Sequence, residues 1–192
     1  MAGPPELRSR TARISADLAR AGIRHAVSGA VAMTAHGVGR STFDIDILVI
    51  APSIRLPEVF GLIRRHGFAG DDRELLESLR DRYVAALEGG PIKVEVLVPV
   101  LPYHGTLVDR AVVREVEGVR VPFVSLEDLI VLKMLWRRPK DVADVHGLIA
   151  AAGAHLDAAY VRSTLASILP AEDPRHAEIA DWILKFGGPG GA

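Results

Sequence analysis

One segment restricts this chain more than any other: Phe43–Asp44–Ile45–Asp46–Ile47–Leu48–Val49–Ile50. A short apolar run so rich in β-branched residues reads as a strand. Side chains alternate along a strand, so Asp44 and Asp46 share one face while Ile45 and Ile47 pack the other. The two aspartate Cα atoms then lie about 6.6 Å apart, two rises of ~3.3 Å. Adjacent acids at the head of an apolar strand repel each other and lose hydration. A divalent cation, or two cations ~3.5–4 Å apart, would offset that cost. Taken alone, the pair equally describes a strand end whose acids face water.

A second strand, Ile92–Val98, changes the balance, because it is apolar except for Lys93 and Glu95. A lone glutamate in such a strand calls for a partner or a ligand. Lys93, two residues earlier on the same face, supplies the plain partner. If this strand lies beside 43–50, Glu95 joins Asp44 and Asp46 as a third cation ligand. Upstream, Val27–Ser28–Gly29 leaves a short strand and enters a helix, where free backbone N–H groups can hold an anion and glycine admits a phosphate closely. A three-carboxylate cation site beside a phosphate cradle points to metal-assisted transfer at a nucleoside triphosphate.

The remaining periodicities give a mixed α/β (α+β) order. An amphipathic helix carrying Leu7, Thr11, Ile14, Leu18 and Ala21 precedes strand 24–27 and a short helix, Ala30–His36. Pro57 and Gly67 bracket a further helix. Leu75, Leu76, Leu79, Tyr83 and Leu87 predict another, reaching Leu87. Residues 114–124 read as a hairpin about Glu117–Gly118. From Ser125, an N-cap with Asp128 three residues on, the chain reads as helical throughout. We therefore expect a core with its N-terminal helix over 1–124, a helical region packed on it over 125–186, and a disordered tail over 187–192.

Five segments in this order resemble the nucleotidyltransferase superfamily typified by DNA polymerase β, and within it the small bacterial nucleotidyltransferases related to abortive-infection toxins. They are Val27–Ala32, Gly39–Val49, Lys93–Leu97, Ser125–Lys133 and Arg138–Val145. The family turn is usually Gly-Gly or Gly-Ser where this chain has Ser28–Gly29. Glu95 stands where relatives more often carry Asp. The resemblance implies a small mixed β-sheet core flanked by helices, followed by a helical region. It also implies that Asp44, Asp46 and Glu95 ligate two Mg²⁺ ions (Mn²⁺ as a substitute). Ser28 and Gly29 would hold phosphates, Arg40, Ser41 and Thr42 would meet phosphate or ribose, and Lys133 would meet the triphosphate. Asp141 and Asp144, one helical turn apart and placed with the nucleotide-binding residues, would orient Lys133 or Arg138, unless they are simply an exposed i,i+3 acid pair. Implied partners are a nucleoside triphosphate and an acceptor hydroxyl, on a tRNA end, a protein or a small molecule, with a cognate antitoxin if the chain is a toxin.

From the residues themselves, Lys133 falls on the apolar stripe of Leu126, Leu129 and Ile130, and either snorkels to water or carries charge into a site. Arg137, Arg138 and Lys140 form a basic cluster that suits an RNA backbone or merely a solvated helix. Composition removes alternatives. With no cysteine among 192 residues, thiolate zinc, iron–sulfur and cysteine-nucleophile chemistry are excluded. The formal net charge of −1 confines nucleic-acid binding to a local patch, and ten aromatics are too few for a base-stacking platform. No P-loop or histidine-pair zinc spacing occurs. No secretory signal or membrane-length apolar run is present, so a cytoplasmic location is expected. Two rivals remain: a nucleotide-binding or interaction module of the same fold with little catalysis, and a metal-dependent phosphodiesterase.

Overall fold

The computed structural model describes residues 5–187. Helix α1 (Pro5–Arg20) buries Leu7, Thr11, Ile14 and Leu18 on one face. Gly22, at φ +67°, turns the chain into strand β1 (Arg24–Val27), followed by helix α2 (Gly29–Ala35) and strand β2 (Asp44–Ile50). His25 on β1 is buried, with Nδ1–H donating to the Ile23 carbonyl at 2.9 Å and Ser15 Oγ–H donating to Nε2 at 2.8 Å. Pro57 opens helix α3 (Leu56–Arg64). Asp71 caps helix α4 (Asp72–Arg82) by accepting the N–H groups of Arg73 and Glu74. A hairpin of β3 (Val84–Gly89) and β4 (Ile92–Leu97) follows. Helix α5 (Tyr103–Asp109) leads to a second hairpin, β5 (Val112–Val116) and β6 (Val119–Phe123).

The helix expected to reach Leu87 stops at Arg82. Tyr83 adopts φ +61°, a left-handed conformation that ends α4, and the chain then alternates buried Ala85 and Leu87 with exposed Ala86 and Glu88. Leu79, Tyr83 and Leu87 are spaced as on a helix, but the period of two that governs burial belongs to a strand. Helix α5 is an element that the apolar pattern did not reveal.

The sheet order is β3-β4-β2-β1-β6-β5. Strand β2 pairs parallel with β4 and antiparallel with β1, while β1 pairs parallel with β6, so the sheet is mixed. Ile45, Ile47, Val94 and Val96 are fully buried on one face. The other face of β2 and β4 carries the acids. This mixed α/β architecture, with C-terminal helices, is the one expected.

Backbone proximity divides the chain into two compact units, 5–35 with 39–124, and 36–38 with 125–187. The second contains α6 (Leu126–Trp136), α7 (Pro139–Ala152), α8 (Ala158–Ile168) and α9 (Arg175–Phe186). Ser125 caps α6 as expected: its Oγ accepts the Asp128 N–H at 3.1 Å and donates to the Asp128 carboxylate at 2.6 Å. The Tyr160 hydroxyl donates to the other Asp128 oxygen at 2.7 Å, tying α8 to α6. The expected tail lies outside the described residues except for Gly187, whose N–H closes α9 on the Ile183 carbonyl at 2.9 Å. Among the described residues no helix is long and apolar enough to cross a membrane.

Candidate active site

Parallel pairing of β2 with β4 sets Asp44 opposite Lys93 and Asp46 opposite Glu95. Neighbouring strands lie ~4.8 Å apart and registered partners point to the same side, so four charged side chains form a patch on one face. All four are half-buried, with side-chain exposures of 44% for Asp44, 34% for Lys93 and 29% for Glu95. Lys93 Nζ donates to Glu95 Oε1 at 2.6 Å and lies 3.8 Å from Asp44 Oδ1. The Glu95 hydrogen bond, against a smaller opposing effect of burial, raises the Lys93 ammonium above its usual range. Glu95 thus has both neighbours that the sequence offered it, the lysine and the aspartates.

The turn after β1 is built against Asp46. The Ser28 N–H donates to the Asp46 carbonyl at 2.8 Å, and Ser28 itself is buried. Gly29 has φ +60°, and a Cβ there would sit 1.7 Å from Asp46 Oδ2. Only glycine fits, on conformational and steric grounds together. The first turn of α2 and the Asp46 carboxylate therefore meet across the width of one glycine. Thr42 has a local task, its Oγ1 accepting the Asp44 N–H at 3.0 Å where β2 begins. Arg40 is half-buried and Ser41 exposed in the same loop.

In the second unit, Lys133 does not snorkel. Its side chain is 9% exposed, and Nζ donates to Asp144 Oδ2 at 2.6 Å with Asp141 Oδ1 at 3.6 Å. Asp141, 1% exposed, receives the Arg138 Nε–H at 2.6 Å and the Arg138 backbone N–H at 3.1 Å. Burial pushes the Asp141 carboxyl up, but the Arg138 hydrogen bonds and the Arg138 and Lys133 charges together hold it below the usual carboxylate range. The helical spacing of Asp141 and Asp144 thus organises Lys133 and Arg138 rather than facing water. In the basic cluster, the Arg137 guanidinium pairs with Glu178, Arg138 is spent on Asp141, and Lys140 is exposed.

A profile of the family described as "nucleotidyl transferase of unknown function (DUF2204)" matches residues 8–175. The chain belongs to this family. No curated protein sequence matches it significantly. Among solved structures, the antibiotic-resistance factor ANT(2″)-Ia is similar in fold. Its solution structure gives TM-score 0.55 at 16% identity over 83% of this chain and 89% of that one. Its crystal structure in complex with adenylyl-2″-tobramycin gives 0.56 at 16% identity, covering 83% and 97%. An antigenic nucleotidyltransferase-like protein from Paracoccidioides brasiliensis gives 0.52 at 15% identity, covering 95% and 94%. The fold is that of a nucleotidyltransferase.

Nucleotidyltransferases generally work with a nucleoside triphosphate and a divalent cation, and the residues of this family member suit one. Carboxylate oxygens are the hard donors that Mg²⁺ or Mn²⁺ takes. The ammonium of Lys93 also shows that positive charge settles on this face. Among the described residues no three acidic or histidine side chains are gathered closely enough to hold an ion as they stand.

Proposed function

We propose that the chain transfers a nucleoside monophosphate from a nucleoside triphosphate to an acceptor hydroxyl. The carrying observation is the single face on which Asp46 and Glu95 are registered partners, Asp44 adjoins them, and Gly29 is pressed against Asp46. Asp44, Asp46 and Glu95 are the residues that would hold Mg²⁺. When bound, the ion supplies charge neutralisation at the phosphates and a more acidic acceptor hydroxyl. The acceptor oxygen bonds to the α-phosphorus, the α–β bridging bond breaks, pyrophosphate departs, and the hydroxyl proton passes to solvent. The Gly29 amide and Ser28 receive phosphate oxygens. Lys133, steadied by Asp144 and Asp141, is assigned to the triphosphate, and Arg40, Ser41 and Thr42 to phosphate or ribose, as the resemblance implies.

An RNA end, as on tRNA, is the acceptor we favour, with a toxin–antitoxin role. The basic residues lend that choice less weight than their number suggests. Arg10 donates to the Gly89 carbonyl, Arg20 pairs with Asp17, Arg24 with Asp109, Arg137 with Glu178 and Arg138 with Asp141. A small-molecule acceptor is therefore the second reading, in keeping with the likeness to ANT(2″)-Ia. The test supplies α-labelled triphosphates, Mg²⁺ and a panel of tRNA, protein and aminoglycoside acceptors. Label should move to one class, and Asp44→Ala with Asp46→Ala should abolish transfer. Transfer that survives the double substitution refutes the mechanism, and binding of nucleotide with no transfer to any acceptor supports the non-catalytic module instead.

A further inference from the structure

Lys93 is the member of the charged face to which the proposed reaction gives no task. We infer that Lys93 is a built-in counter-cation that must leave Glu95 before a divalent ion can use that carboxylate, and so sets the cation affinity of the face. This rests on the assignment of Asp44, Asp46 and Glu95 as the cation ligands.

The register puts Lys93 beside Asp44 and one residue-pair from Asp46 and Glu95, and its ammonium lies 2.6 Å from Glu95 and 3.8 Å from Asp44. An ammonium has three donors and no lone pair, so it cannot become a ligand and can only compete for the same oxygens. A divalent ion within about 4 Å of it would be repelled. Binding is consequently an exchange rather than an addition. The exchange is feasible because the Lys93 side chain is 34% exposed, and its four-carbon stem lets the charged head move into water. Lys133, 9% exposed and held by Asp144, lacks that freedom. Before exchange, Lys93 offsets part of the mutual repulsion of the three carboxylates.

The test titrates the intact chain with Mn²⁺, free Mn²⁺ being followed by electron paramagnetic resonance, at neutral pH without nucleotide. Wild type is compared with Lys93→Met, Lys93→Gln, Lys93→Arg and Asp46→Asn. The two neutral variants should bind Mn²⁺ about tenfold more tightly, as expected for removing one like charge from a partly screened site. Lys93→Arg, which keeps the charge, should stay within about twofold of wild type. Without metal the neutral variants should melt below wild type, and saturating Mn²⁺ should close that gap. Unchanged or weaker Mn²⁺ binding in both neutral variants overturns the inference, leaving Lys93 a structural salt-bridge partner. If that equal binding is abolished by Asp46→Asn, only the role of Lys93 has failed. Mn²⁺ binding that Asp46→Asn leaves intact shows the ion elsewhere, and the carboxylate assignment falls with the inference.

Discussion

The protein carries two clusters of four charged side chains each, and they are built on opposite principles. On the β2–β4 face, Asp44, Asp46 and Glu95 stand with Lys93 on one side of the sheet, and all four remain half-buried. In the second unit, Lys133 and Arg138 balance Asp141 and Asp144, and three of those four side chains are about nine-tenths buried or more. Buried charge is tolerable only when matched and hydrogen-bonded, because desolvation costs several kcal/mol per ion. Nearer water, charged groups keep part of their hydration and need less exact matching. The buried cluster has the character of a framework, and the half-buried face is the one to which the proposed function assigns a ligand. That contrast can be attacked directly.

The largest effect should come from removing one partner of the buried cluster. Lys133→Met removes the ammonium that donates to Asp144 and weakens the setting of Asp141, and should cost roughly 3–5 kcal/mol in urea denaturation. Lys93→Met, on the open face, should cost no more than about 1 kcal/mol. Comparable losses for the two lysines would erase the distinction.

Gly29→Ala probes the open face through sterics instead of charge. The new methyl would lie 1.7 Å from Asp46 Oδ2 on a backbone at φ +60°, so either the turn or the carboxylate must move. A loss of about 1–3 kcal/mol is expected from backbone strain, together with loss of label transfer as severe as that of Asp46→Asn. A variant that folds and transfers normally would show that the close approach of Gly29 to Asp46 does not shape the site.

How much of this was legible beforehand follows from the range of each interaction. Alternation in 43–50 and 92–98, the Ser125 cap and the one-turn spacing of Asp141 and Asp144 are local, and the structure has strands at Asp44–Ile50 and Ile92–Leu97, the cap at Ser125 and both aspartates beside Lys133. Lys93 was visible as a same-face neighbour of Glu95, but the register that also brings it near Asp44 is a property of two strands separated by forty-odd residues. Strand β3 was missed because the break at Tyr83 depends on a left-handed backbone that a tyrosine seldom announces. For the arginine-rich stretches the information that the sequence lacks is pairing. Composition counts positive charges without saying that Arg20, Arg24, Arg137 and Arg138 are spent on carboxylates.

Acid pH should separate the clusters further. The Asp141 carboxyl titrates below its ordinary 3.8 in the folded protein. The unfolded chain therefore takes up that proton first as pH falls. Stability contributed by Asp141 is complete above the unfolded value, declines as pH drops through about 3.8, and is exhausted below the folded value. Urea midpoints between pH 5 and pH 3 should fall for wild type and more gently for Asp141→Asn, whose starting stability is lower. Parallel curves for the two proteins would mean that Asp141 is not held ionised by Arg138 and Lys133.

The smallest effect is the most discriminating, because its sign differs between the clusters. Asp144→Asn removes the negative charge beside a buried ammonium and must destabilise, since Lys133 keeps its charge and loses its closest counter-charge. Asp46→Asn removes one of three neighbouring negative charges from a half-buried face. In metal-free buffer that variant should be as stable as wild type or up to about 1 kcal/mol more stable, while its Mn²⁺ binding is lost. On the proposed function, relieving repulsion among cation-binding carboxylates stabilises the fold when the function is removed, whereas breaking a framework cluster does not. If Asp46→Asn instead unfolds as readily as Asp144→Asn, the carboxylates of β2 are part of the framework, and their charge has a structural purpose.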